Sequence, residues 1–181
     1  MASFDSDRLS LDLATAIQED AYRLIRSEQQ SRILSPEGSR RRGGRYNPAN
    51  AFGALYLGES EALCRAEIRQ HLGNDYSPPP SVRFVCARVR VALDRVLDLT
   101  DEATLAELGI ERADLMRPKG MDNEGYRLPQ RIAVAAKEAG FEAIKAPSVT
   151  SQGHNLAILL DDPQADRRVE LEEFAPANWE D

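Results

Sequence analysis

GGRYNPANAFGALYLGESEALCRAEIRQH, residues 43–71, is the stretch on which the reading of this chain turns. Gly43 and Gly44 let backbone come close to a ligand, and Arg45 follows them directly. Ala54-Leu55-Tyr56-Leu57 is a short apolar run bounded by Gly58, which reads as a buried strand. Glu59-Ser60 then leads into a helical pattern with Ala62, Leu63, Ala66 and Leu72 on one side. Glu67 falls at the margin of that apolar stripe, where a carboxylate either snorkels to water or serves a cleft. Arg45, Tyr56 and Glu67 are thus carried by a loop, a strand and a helix in immediate succession, eleven residues apart at each step. A compact fold brings three such elements, and their cation, ring and carboxylate, to one pocket.

Composition bounds what that pocket serves. The chain has 181 residues, enough for one domain with a proper core and too few for two comfortable ones. Its net charge of −7 disfavours a general nucleic-acid binder, whose phosphate contacts need a basic face. Cys64 and Cys86 form no spaced framework, which points to reduced, buried thiols of a cytoplasmic protein. Residues 1–8 lack the basic start and apolar run of a signal peptide, and no apolar stretch approaches the ~20 residues that span a bilayer. The two histidines, His71 and His154, do not stand at metal-ligand spacing, so no metal is expected.

Outward from the central stretch, Leu9–Glu19 has Leu11, Ala14 and Ile17 spaced for one helical face. Ala21–Ile25 is short enough for a strand, although periodicity also lets the helix continue through it. Ser35-Pro36-Glu37-Gly38 signals a turn leading into Ser39 and the run Arg40-Arg41-Arg42. That run holds anionic substrate, contacts an acidic partner or is a solvated turn, and the last reading is the ordinary one. Residues 74–80 are a loop. Val82–Val91 alternates as a strand, with Val85, Ala87, Val89 and Val91 on one face and Phe84, Cys86, Arg88 and Arg90 on the other. Val96–Leu99 reads as a further short strand. Thr100 or Asp101 caps a helix that ends at Gly109. Residues 110–125 read mainly as loop, and Pro129 as the first turn of a helix running to Gly140. Phe141–Ala146 and Asn155–Leu160 are strands joined by the loop 147–154. Arg168–Phe174 alternates and closes the sheet, leaving 175–181 as a loose acidic tail.

The stretch 43–71 resembles the RES-domain family, the NAD-attacking toxins of bacterial RES–Xre toxin–antitoxin pairs. The resemblance rests on Gly43-Gly44-Arg45-Tyr46-Asn47-Pro48, on Leu55-Tyr56-Leu57, and on Glu67 within Ala62-Leu63-Cys64-Arg65-Ala66-Glu67. Tyr46 stands where tryptophan is common. The resemblance implies an α+β fold, a mixed β-sheet core flanked by helices, like that of ADP-ribosyltransferases. It implies a single RES domain over 1–181, with a core at about 20–174. It makes Ala21–Ile25 a strand and puts Arg23 in the pocket beside Arg45. Glu67, Arg45 and Tyr56 are then the catalytic residues, and Arg23, Arg45, Tyr56, Asn47 and Ser148 bind substrate, with Asn155 near them. The substrate is NAD, with no prosthetic group. The partners are inorganic phosphate and a helix-turn-helix antitoxin of the Xre type that blocks the pocket, with a homodimer compatible and neither nucleic acid nor membrane bound.

The chemistry of these residue types agrees. Breaking the nicotinamide–ribose bond develops oxocarbenium charge on the ribose while nicotinamide departs neutral, so a carboxylate is needed more than an acid. Guanidiniums suit pyrophosphate or phosphate because a planar fork grips oxyanions with two hydrogen bonds. Tyr56 offers a ring face and a hydroxyl. Ser148 has no basic partner in sequence and is not read as an activated nucleophile. Three functions remain open: NAD depletion by phosphorolysis or hydrolysis, transfer of ADP-ribose to a protein, and a non-catalytic NAD-binding regulator.

Overall fold

A computed structural model describes residues 4–73, 76–121, 123–150 and 153–179. Its first strand, β1 (Ala14–Arg26), occupies most of the segment expected to be helical over Leu9–Glu19. Two 3₁₀ turns, Ser6–Arg8 and Leu11–Leu13, precede it. Thr15, Ile17 and Ile25 are β-branched, and a long antiparallel partner outweighs the weak helical periodicity. Ala21–Ile25 is part of the same strand, as the family resemblance requires.

The expected turn at 35–42 is instead a short helix, α1 (Glu37–Arg42), in which Arg40 and Arg41 both pair with Glu37. It stops at Gly43, whose φ of 71° is costly for any residue with a side chain. β2 (Leu55–Gly58) and α2 (Glu61–Leu72) follow as expected. The Ser60 hydroxyl caps α2 by accepting from the Leu63 N–H at 3.1 Å. Leu63 is buried, but Leu72 lies exposed at the helix end, so the apolar stripe is shorter than its spacing suggests.

β3 (Phe84–Asp98) is one fifteen-residue strand and not two. Ala87, Val89, Val91 and Leu93 point into the core, while Arg88 and Arg90 face acidic side chains of neighbouring strands. Its two halves are joined through a bulge: Asp94 and Arg95 lie between the pairs Ile17–Leu93 and Thr15–Val96, opposite Ala16 alone. The two bulge N–H groups donate to one oxygen of Glu142, at 2.8 and 3.0 Å. Glu142 is only 2% exposed and also takes guanidinium hydrogen bonds from Arg95 and Arg168. A buried carboxylate is tolerated there because the bulge and two arginines satisfy it.

Beyond β3 come α3 (Glu102–Glu107), capped by Asp101, then α4 (Arg112–Leu115) and α5 (Glu124–Ala139). The segment 110–125 is therefore partly helical. Pro129 lies inside α5, which begins one turn earlier than that proline suggests. β4 (Ala143–Pro147), β5 (His154–Ile158) and β6 (Val169–Pro176) complete the described strands. Pairing runs β1–β2–β5–β4–β3 and back to β1, a ring of strands with β6 added to β3. Among the described strands only β3–β4 is parallel. Leu97, Ile144 and Leu159 pack with Leu105 of α3 and Ile132 and Ala136 of α5. A second cluster gathers Leu55, Leu57, Val89, Val91, Leu156 and Ile158.

The segment 175–179 is docked and not loose. The Ala177 N–H donates to the Phe84 carbonyl, and the Asn178 N–H to Glu61 of α2. The Trp179 ring stands edge-on to Phe84 and Tyr76, at 5.0 and 5.9 Å between centroids. Residues 180 and 181 of the expected tail, 74 and 75 of the expected loop, 1–3 at the N-terminus, and 151 and 152 of the loop 147–154 lie outside the described residues.

Candidate active site

A cavity of about 690 Å³ opens where the 43–48 loop, β1, β2, α2 and the loop before α5 meet. Arg23, Arg45, Tyr56 and Glu67 all line it, together with Tyr22, Tyr126 and Asn155. The three elements that carry the evenly spaced triad do converge, because β2 lies in the strand ring while the loop before it and α2 after it fold to one side.

Glu67 is held from a distance in sequence. Its Oε1 accepts from the Ser148 hydroxyl at 2.9 Å and from the Asn155 amide at 2.5 Å. No hydrogen bond to its Oε2 is formed among the described residues, which leaves that oxygen for a ligand. Ser148 is 1% exposed and does not line the cavity. Having donated its one proton to Glu67, its oxygen accepts from the Thr150 N–H at 3.2 Å and from the Thr150 hydroxyl at 2.9 Å. Ser148 therefore positions the carboxylate, where the sequence suggested a group that touches substrate.

Asn47 is likewise buried, at 0% exposure, with every side-chain polar group engaged. Its amide donates to the Ser39 and Phe52 carbonyls, each at 2.9 Å, and its oxygen accepts from the Tyr56 hydroxyl at 2.8 Å. The Tyr56 hydroxyl in turn accepts from the Tyr46 N–H at 2.9 Å. Neither Asn47 nor the Tyr56 hydroxyl is left for substrate; both shape the loop that presents Arg45, and only the Tyr56 ring remains as a surface. Gln130 of α5 ties the same loop by donating to the Gly44 carbonyl at 2.8 Å. Gly44 is required by closeness: a Cβ there would stand 2.5 Å from the Tyr56 hydroxyl.

The two arginines are also partly committed. Arg45 donates through Nη1 to the carbonyls of Leu115 and Arg117, at 2.8 and 3.0 Å, and lies 4.7 Å over the Tyr126 ring. It thereby fastens the segment after α4 as a wall of the cavity. Arg23 donates to the Ile33 carbonyl. Burial pushes its guanidinium down to about 10, which leaves it charged at neutral pH. Burial also pushes the Cys64 thiol up to about 12, so this cavity-lining cysteine is no nucleophile. Burial raises the hydroxyls of Tyr46 and Tyr56 as well. The Tyr46 hydroxyl is buried with no hydrogen-bond partner among the described residues. His71, one turn after Glu67 and lining the cavity, donates from Nδ1 to the Glu67 carbonyl at 2.9 Å.

Sequence reasoning missed Tyr22, Tyr126 and Gln130. Tyr22 stood next to Arg23 in the strand motif and was legible from it. Tyr126 and Gln130 lie more than fifty residues beyond the central stretch, in the first half of a helix whose cavity-facing side no periodicity marks. No group of three or more metal-ligating side chains is gathered among the described residues. No helix among them is long and apolar enough to cross a membrane.

Comparison with known proteins adds four findings. The family profile described as RES domain matches residues 20–180. A probable NAD(+) phosphorylase of Mycobacterium tuberculosis is 37% identical over 110 residues, covering 61% of this chain and 50% of that protein. The NAD(+) phosphorylase MbcT of Mycobacterium bovis is 31% identical over 100 residues, covering 54% of this chain and 53% of its own length. The matched part of the chain thus spans about half the length of these curated relatives. Among solved structures, a crystal structure of the Mycobacterium tuberculosis MbcT–MbcA toxin–antitoxin complex superposes with a TM-score of 0.74 at 24% identity, over 94% of this chain and 90% of that one. That likeness shows the fold: a mixed sheet with flanking helices.

Proposed function

We propose, from the premise that this chain belongs to the RES domain family, that it cleaves the nicotinamide–ribose bond of NAD by phosphorolysis. It does so in the bacterial cytoplasm as the toxin of a toxin–antitoxin pair, with residues 1–181 acting as one RES domain of ADP-ribosyltransferase-like fold. The observation that carries this reading is the Glu67 carboxylate. One of its oxygens is fixed by Ser148 and Asn155, and the residue lines a cation-rich cavity. A carboxylate held this way stabilises the charge that develops at the ribose C1′ without having to reorganise during the reaction. The bond to nicotinamide breaks with its electron pair passing to the ring nitrogen, and nicotinamide leaves neutral. A phosphate oxygen bonds to C1′, giving ADP-ribose carrying a 1-phosphate on that ribose. The names of the curated relatives favour phosphate over water as the acceptor. The ring faces of Tyr22, Tyr56 and Tyr126 give the nicotinamide ring a place to stack.

The complex in the related crystal structure supports a separate antitoxin, which we take to be a helix-turn-helix protein that covers the cavity mouth. The decisive experiment incubates purified protein with NAD, with and without inorganic phosphate, and identifies the products. A phosphorylated ADP-ribose formed only with phosphate is expected. Free ADP-ribose would correct the acceptor to water, labelled protein would correct it to a side chain, and unchanged NAD would defeat the reading.

A further inference from the structure

We propose that Arg42 and Lys119 form a phosphate subsite at the cavity, resting on its reading as an NAD site. Among the described residues, four cations line the cavity, Arg23, Arg42, Arg45 and Lys119, against the one carboxylate of Glu67, in a chain whose net charge is −7. Two of the four have structural duties. Arg23 and Arg45 donate to backbone carbonyls that hold the walls. Arg42 and Lys119 do not. Neither side chain has a hydrogen bond or ion pair with the described residues, and the Lys119 ammonium only approaches the Tyr126 ring, 5.7 Å from its centroid.

The contrast within the arginine run is direct. Arg40 and Arg41 pair with Glu37, whereas Arg42 ends the helix without an acidic partner among the described residues and lines the cavity. The sequence suggests that the run is an ordinary solvated turn; it is the end of a helix, and Arg42, though exposed, also lines the cavity. Cations gathered without counter-ions repel one another, and a phosphate oxyanion is the ligand that relieves the repulsion. Arg42 offers a planar fork and Lys119 a point charge, which suits two oxygens of one phosphate group or of a pyrophosphate. Two sources share that chemistry: the pyrophosphate of the dinucleotide, and the inorganic phosphate that attacks C1′.

The test replaces Arg42→Gln and Lys119→Gln singly and together, with Arg40→Gln as the paired neighbour. Initial rates give KM for NAD and KM for phosphate separately, and calorimetry follows ADP and inorganic phosphate titrated into each protein. A rise of about tenfold per residue, the loss expected for one charge-assisted hydrogen bond, is predicted in one of the two constants. A rise in KM for NAD with weaker ADP binding assigns the subsite to the pyrophosphate. A rise in KM for phosphate with unchanged ADP binding assigns it to the incoming phosphate. Arg40→Gln is expected to match wild type. If the wild type binds ADP or phosphate and the double variant loses that binding, the subsite stands even where no NAD cleavage is found, and only the proposed reaction falls. Constants and affinities within twofold of wild type in the double variant overturn the subsite, as does a wild type that binds neither probe.

Discussion

Glu67 is oriented by residues 81 and 88 positions later in the chain, Ser148 and Asn155. Glu67→Gln removes the charge and is expected to lower kcat by ~10²–10³ with the fold intact, the scale of losing one electrostatic stabiliser. Ser148→Ala keeps the charge but frees the carboxylate, so it is expected to lower kcat by a smaller factor while KM for NAD holds; a wild-type kcat in Ser148→Ala would remove the positioning role. Tyr46 supplies a prediction of opposite sign. Its buried hydroxyl has no partner among the described residues, and Tyr46→Phe removes that unsatisfied group without changing the packing, so unfolding should require about 1 kcal/mol more denaturant work. A lower stability would mean that the hydroxyl is bonded after all. At this scale the sequence made residue identities legible and their duties only partly so. The regular spacing brought Arg45, Tyr56 and Glu67 to one cavity. Nothing in the spacing reveals that the Tyr56 hydroxyl and the Asn47 amide satisfy one another, because that depends on how the 43–48 loop closes.

Among the elements, the loop and β3 are the most exacting. Gly44→Ala would drive a methyl group against the Tyr56 hydroxyl and the Asn47 oxygen, at 2.5 and 2.9 Å. The expected result is loss of the loop's hydrogen bonds and of NAD affinity, with near-native circular dichroism; retention of wild-type KM would show that the loop adapts. In β3, the bulge at Asp94–Arg95 relies on Glu142. Glu142→Ala leaves two backbone N–H groups without their acceptor and a partly buried Arg168 with Asp94 alone, 3.5 Å away, and a loss of ~3–5 kcal/mol is expected on chemical unfolding. The bulge explains why alternation in the sequence gave two strands where one exists. The phase slips by one residue at 94–95, and a reader of periodicity sees a break. The helix expected at Leu9–Glu19 fails for a related reason: its apolar spacing suits either structure, and the partner that decides lies some seventy residues away.

For the molecule as a whole, His154 joins elements that the strand ring would otherwise leave apart. Its two ring nitrogens lie 2.8 Å from carboxylate oxygens of Glu19 on β1 and of Glu59 before α2, with Lys145 of β4 3.6 Å from Glu19. The hydrogen bond from His154 holds the Glu19 carboxyl below its usual value, helped by the charges of His154 and Lys145 and opposed by burial. A depressed folded value means that Glu19 adds stability above its unfolded pKa and loses it as pH falls through the folded one. The gap in Tm between wild type and Glu19→Gln should therefore shrink on acidification below about pH 4.5; a gap independent of pH would show that the cluster contributes nothing through charge. The ring of strands also sets a timetable for synthesis. β1 has to wait for β3, β2 for β5, and Glu67 for Asn155, 88 residues further on. At bacterial elongation rates, on the order of ten seconds pass between the emergence of the carboxylate and that of the groups that aim it. A nascent chain that has not yet reached Asn155 carries Glu67 without the groups that orient it, so the connectivity that builds the cavity also leaves it unassembled until β5 has been made.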